Sequence, residues 1–247
     1  MTLEKAGLGE QALNKIAEVA LASQLQEVER LEVQIKTDLS KLANGEVDCI
    51  TINLNGLVIQ QDLRVEELQL KINRVTVKPL GAILGKIKLT QPSEGTARIV
   101  INEDNLNSAF NSASFHKHLR QIQGFVEDKR VTIHVQQVKC RLLADGNIAF
   151  NSKLILGNNR EAQALAFTAT PRIGTDGQGI VFQDLHYLEG KEISPELTAA
   201  LVARLSEVLS LRNFEQKGMS LRIQQLDVAA GKLTLQAAAY IKQFSSS

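Results

Sequence analysis

Reactive and rigidifying residues are scarce in this chain. Its 247 residues include 2 Cys, Cys49 and Cys140, too few for a disulfide framework and without metal-ligand spacing. Both read as small buried hydrophobes. No Trp, 2 Tyr and 8 Phe leave few stacking platforms, which disfavours recognition of bases or planar rings. With 4 Pro and 16 Gly, long flexible linkers are not available. An excess of one charge is also missing: 28 Lys+Arg against 27 Asp+Glu give a formal net charge of +1, which excludes a generally basic nucleic-acid binder and an acidic solvating tail. No run of about eighteen apolar residues marks a membrane-spanning helix, and the first residues carry no secretory signal. The expected location is cytoplasmic, at most peripheral to a membrane, with an envelope location open if a leader was removed.

What the chain does have is an ordinary globular composition, 44% hydrophobic and 22% charged, at a length that fits a single domain over 1–247. Leu13, Ile16, Ala17, Ala20 and Leu21 recur at helical spacing and predict a helix over 9–28. The period then changes to two, and strands are predicted over 31–101, broken by the turn chemistry of Asn44-Gly45, Asn55-Gly56 and 93–95. A second helix is predicted over 102–123, strands over 129–190, and strands again over 218–242. The helix predicted over 195–211 is well marked, with Ser194 as N-cap, Pro195 at the first position and a stripe of Leu197, Leu201, Leu205, Val208 and Leu209.

Three segments repeat one another: 63–70, 133–140 and 221–228 each read apolar, basic or His, apolar, two long polar residues, apolar, polar, apolar. Two successive polar positions break a strict alternation, and an extra residue in the strand, a β-bulge, restores the inward phase. Repeated bulges curve a sheet strongly. The fold class expected is therefore α+β, a strongly curved antiparallel sheet wrapped around long amphipathic helices. Branched aliphatics on its inner face suit an acyl chain better than a planar ring.

With helix, long meander, helix and closing strands in this order, the chain resembles the LmeA-like phospholipid-binding family, formerly a bacterial domain of unknown function. The matching stretches are the 31–37 strand, Gly85-Lys86-Ile87-Lys88-Leu89, the run Ala97-Arg98-Ile99-Val100-Ile101-Asn102-Glu103-Asp104-Asn105-Leu106-Asn107, and Gly231-Lys232-Leu233-Thr234-Leu235. The resemblance covers most of the chain and implies a tubular lipid-binding type of fold, in which a curved sheet rolls around a helix and leaves an apolar tunnel. It implies a lipid or membrane-surface partner, phospholipid or fatty acid as ligand with no other cofactor, and no catalytic residue. The best-known members are envelope proteins.

The candidate tunnel walls are Leu13, Ile16 and Ala20 from the first helix and Leu201, Leu205 and Val208 from the third. The same patterning also describes a core filled by its own side chains. Between Leu68 and Ser93 lie Lys71, Arg74, Lys78, Lys86 and Lys88 and no acidic residue. They enclose the apolar segment 79–85, so Lys78, Leu80, Ile83, Leu84, Lys86 and Lys88 form a candidate membrane contact; the alternative is a buried turn with solvated cations. His116 and His118 read as a surface pair and His134 as an outward position; no metal site is expected. His186 lies in a loop-like region with no nucleophile motif nearby. Gly174, Gly177 and Gly179 read as a hairpin turn rather than a phosphate loop. Glu103 and Asp104 suit the positive end of a helix. Two functions remain in view: passive binding or carriage of a long apolar ligand, or a structural or adaptor protein that uses its sheet to associate with a partner.

Overall fold

Branched aliphatics alternating with polar residues build two antiparallel sheets rather than the single one expected. The computed structural model describes residues 8–23, 25, 27–59, 62–77, 89–119, 123–126, 129–156, 162–188, 195–212 and 218–242. The chain begins with α1 (Leu8–Ala22), β1 (Arg30–Lys36), α2 (Leu39–Ala43), β2 (Glu46–Val58), β3 (Arg64–Thr76) and β4 (Ser93–Asn102). It crosses through α3 (Glu103–Phe110) and α4 (Ala113–Leu119) into β5 (Gln123–Val126), β6 (Lys129–Leu142), β7 (Ile148–Leu156), β8 (Ala162–Ile173) and β9 (Ile180–Tyr187). Helix α5 (Pro195–Val208) then returns it to β10 (Met219–Ala229) and β11 (Lys232–Ile241). The first sheet has the order β1-β2-β3-β4-β11-β10 and the second β5-β6-β7-β8-β9, so the C-terminal hairpin closes the sheet that the N-terminal half began. The α+β class holds.

The helices are shorter than their patterns predict. The helix expected over 9–28 ends at Ala22 because the chain after it already belongs to the sheet: Val58 N–H donates to the Glu27 carbonyl at 3.2 Å and Glu29 N–H to the Asn55 carbonyl at 3.0 Å. The region expected as strands over 31–101 holds the short α2, ended by Gly45 at φ 76. The helix expected over 102–123 breaks between α3 and α4, where Ser112 Oγ accepts the Phe115 N–H at 3.1 Å and starts a new turn. Gln123, the last residue of that span, begins β5 instead. The helix expected over 195–211 ends at Val208, and Leu211 N–H is held by the Gln178 carbonyl at 2.6 Å. The Ser194 cap lies outside the described residues.

The repeated pattern is a real structural device in two of its three copies. The register of β6 on β7 shifts between Val135 and Gln137, and that of β10 on β11 between Ile223 and Gln225, so Gln136 and Gln224 are the extra residues at equivalent places. In the first copy the β2–β3 register does not shift: Asn55 faces Glu67 and Leu57 faces Val65. Burial nevertheless changes phase on both strands, from Val65 to Leu68 and from Leu54 to Leu57. Gly56, at φ 63, supplies the matching extra residue on β2. Both partners change phase together, which keeps the ladder in step.

Aliphatic residues of both sheets form one continuous core. No Phe, Tyr or Trp precedes Phe110. Among the described residues a cluster of phenylalanine rings forms on the second sheet, where Phe150 meets Phe110 at 6.1 Å, Phe167 at 5.2 Å and Phe182 at 5.2 Å between centroids.

Candidate functional site

The edge of a sheet exposes backbone N–H and C=O groups that need partners. Two helices of this protein meet that need with polar side chains. On α1, Asn14 Oδ1 accepts the Ile35 N–H at 2.8 Å and Glu18 Oε1 accepts the Val33 N–H at 3.2 Å, so the helix lies along the outer edge of β1. The Lys15 ammonium and the Val33 N–H hold the Glu18 carboxyl below its usual range.

On α3 the same device is longer. Glu103, Asn107 and Asn111, four residues apart, meet Leu142, Cys140 and Val138 in turn on the part of β6 that β5 leaves unpaired. Asn107 Oδ1 accepts the Cys140 N–H at 2.8 Å while its Nδ2 donates to the Cys140 carbonyl at 3.1 Å. Asn111 does the same for Val138, at 3.1 and 2.6 Å. Glu103 Oε2 accepts the Leu142 N–H at 2.8 Å. An Asn amide carries both a donor and an acceptor, so each one imitates a residue of a neighbouring strand. The helix is itself capped by Asn102, whose side chain accepts the Asn105 N–H at 2.8 Å. The Cys140 thiol is pushed up to about 12 by burial and by the nearby Glu103 carboxylate, so it stays protonated at neutral pH. Cys49 is half-buried.

Between this helix and the outer face of the second sheet runs an open groove of about 530 Å³. Its walls include Glu103 and Asn107 from α3 and Asn111 at its C-cap, Lys139 and Arg141 from β6, Ala149 and Asn151 from β7, Ala166 from β8, and Leu188.

The expected wall residues divide. Leu201, Leu205 and Val208 are buried on the inner side of α5, which packs on β5, β9, α3 and α4. Leu13 and Ala20 are half-buried on α1, which packs on β1, away from those partners of α5. Ile16 is 61% exposed and Val19 64%, because a helix laid along one edge strand covers only a narrow stripe; Ala17 and Leu21 face the core. One polar atom interrupts the inner face of β7: the buried Ser152 hydroxyl, between Phe150 and Leu154, has no hydrogen-bond partner.

The expected membrane contact Lys78, Leu80, Ile83, Leu84, Lys86 and Lys88 lies outside the described residues. The residues that flank it do not: Val77 pairs with Leu89, and Thr90 N–H donates to the Thr76 carbonyl at 2.8 Å. Of the remaining residues, His116 lies on α4, and His134 and His186 are exposed on β6 and β9. Gly174, Gly177 and Gly179 form the β8–β9 hairpin turn, where Gly174 N–H donates to the Gly179 carbonyl at 2.9 Å. No cluster of three His, Cys, Asp or Glu residues suited to a metal ion occurs among the described residues. Nor is any helix among them long and apolar enough to cross a membrane.

The model of the LmeA-like phospholipid-binding family matches residues 5–238, nearly the whole chain. The chain belongs to that family. No curated protein and no solved structure is significantly similar to it. The family match spans both sheets, α5 and the groove alike. Sequence reasoning had not found the groove or the α3–β6 contacts. The signal for the second was present, in Glu103, Asn107 and Asn111 at helical spacing, in a stripe beside Leu106, Ala109 and Phe110. Nothing short of the strand pairing could have found the first.

Proposed function

We propose that the protein binds phospholipid without converting it chemically, with acyl chains lodged in the aliphatic interior against Leu201, Leu205 and Val208. Membership of the phospholipid-binding family carries this reading; the core shared by both sheets supports it. The energetics are favourable. Sixteen chain carbons withdrawn from water contribute about 12 kcal/mol before ordering costs. Parting three apolar side chains and leaving them wet would cost roughly 5–9 kcal/mol, and in this exchange they pass from protein contacts to lipid contacts and stay dry. Ser152 offers a buried hydroxyl donor to an ester oxygen.

Organic extraction of the purified protein followed by mass spectrometry should yield near-stoichiometric phospholipid. A phospholipid carrying a photoactivatable group on its acyl chain should label α5 or inward strand positions. A protein that holds no phospholipid after purification, and takes none from vesicles, rules the function out.

Docking on anionic membrane surfaces is a second part of the proposal. Val77 and Leu89, which flank the basic segment in the chain, pair with each other. Each basic residue near an anionic surface contributes about 1 kcal/mol. Lys86→Glu with Lys88→Glu should therefore weaken co-sedimentation with anionic vesicles by tenfold or more and leave binding to zwitterionic vesicles unchanged. Equal binding of the variant and the parent to anionic vesicles would remove this part.

A further inference from the structure

The groove beside α3 exists because of side-chain size. Across the outer face of the second sheet, Lys139 faces Asn151 and Arg141 faces Ala149 on β7, and Asn151 in turn faces Ala166 on β8. The two alanines keep the floor low, while α3 on one side and the long side chains of β6 raise the walls. Leu188, 49% exposed, closes the apolar end, tied by its N–H to the Ala166 carbonyl at 2.9 Å.

The charge of the groove is one-sided. Lys139 and Arg141 are exposed, and among the described residues no ion pair joins either to a carboxylate. Among the described residues Glu103 is the only acidic one in the wall, and its Oε2 is turned onto the Leu142 N–H. Alternate residues of a strand lie about 6.6 Å apart on one face, so the lysine and the arginine reach a single tetrahedral anion placed between them. A guanidinium fork suits phosphate oxygens, and the Asn151 amide adds a neutral donor across the pair.

We propose that this groove holds the phosphate of a phospholipid between Lys139 and Arg141, with the carbons nearest the glycerol against Leu188 and the Ala149 and Ala166 floor. The assignment rests on the phospholipid-binding reading and adds a separate site: the bonds between α3 and β6 part this outer groove from the interior proposed for acyl chains, so the lipid held here is a second one, lying on the outer face. Charge complementarity selects the occupant: two unpaired cations above an apolar floor match a group that is anionic at one end and hydrocarbon at the other.

Calorimetric titration with dihexanoylphosphatidylglycerol, kept below its micelle concentration, tests it, with dihexanoylglycerol and inorganic phosphate as the other arms. Lys139→Glu with Arg141→Glu should weaken binding of the phospholipid at least tenfold and leave the weaker binding of the diacylglycerol unchanged. Lys36→Glu with Lys71→Glu makes the same change of net charge at exposed positions of the first sheet and should have little effect. Ala149→Leu, which fills the floor and keeps both cations, should weaken the phospholipid as well. Parental affinity in the Lys139/Arg141 variant, or an equal loss in the first-sheet control, overturns the groove assignment while the function stands. Inorganic phosphate binding as tightly as the phospholipid also overturns it, since the site would then read free phosphate. If the unmodified protein binds no phospholipid here and yields none on extraction, the function falls with it.

Discussion

Replacing Asn107 and Asn111 together by Ala should lower the unfolding free energy by about 4 kcal/mol, at roughly 1 kcal/mol for each of four lost bonds to the strand. Urea denaturation followed by circular dichroism measures it. The bonds concerned run from the two amides to the N–H and C=O groups of Cys140 and Val138. The estimate uses the net value of a hydrogen bond because both side chains line the groove, so water replaces them once they are truncated. That choice is testable. Asn107→Leu keeps water away from the Cys140 backbone and leaves its two polar groups unpaired, so it should cost more than Asn107→Ala despite its larger apolar surface. The opposite order, or a loss below about 1 kcal/mol in the double variant, would show that this strand edge does not depend on α3.

Phe150→Ala should cost about 3–5 kcal/mol, as expected for truncating a buried ring. Phe150 touches three other Phe rings, at 5.2 to 6.1 Å between centroids, and each well-oriented pair adds to the loss. Phe150→Leu keeps most of the volume and loses only ring geometry, so about 1–2 kcal/mol is expected. Among the described residues the ring contacts join only residues of the second sheet and of the helices α3 and α4, so this cohesion belongs to that half. Hydrogen exchange should accordingly show the amides of β7, β8 and β9 opening before those of β2 and β3 in the Ala variant. Uniform loss of protection across both sheets would contradict that confinement.

Much of the fold was legible because local periodicity and turn chemistry act over a few residues. The bulges at Gln136 and Gln224 could be read from two adjacent polar positions, since a strand with a buried face has no other simple way to recover its phase. The first copy misled for a physical reason. On β3 the same pattern sits opposite Gly56, and a phase change shared by both strands leaves no register shift. Helix lengths were overread because Leu25 and Val28 continue the apolar spacing of α1 although they pack against the core from a non-helical segment. Ile16 was overread because a helical pattern does not say how broad a surface will receive it.

By itself the sequence determined the α+β class, the positions of the main strands and helices, two of the three strand bulges and the burial of Leu201, Leu205 and Val208, which follow from spacing along the chain, and its resemblance to the family extends over nearly all of the chain. Tertiary structure alone decided that there are two sheets, that β10 and β11 return to the first, that α1 and α3 seal strand edges with polar side chains, and that Lys139 and Arg141 share a groove with Ala149, Ala166 and Leu188. These features depend on which strand lies beside which. Pairing partners far apart in the chain are chosen by the packing of the whole core, and no short segment carries that choice.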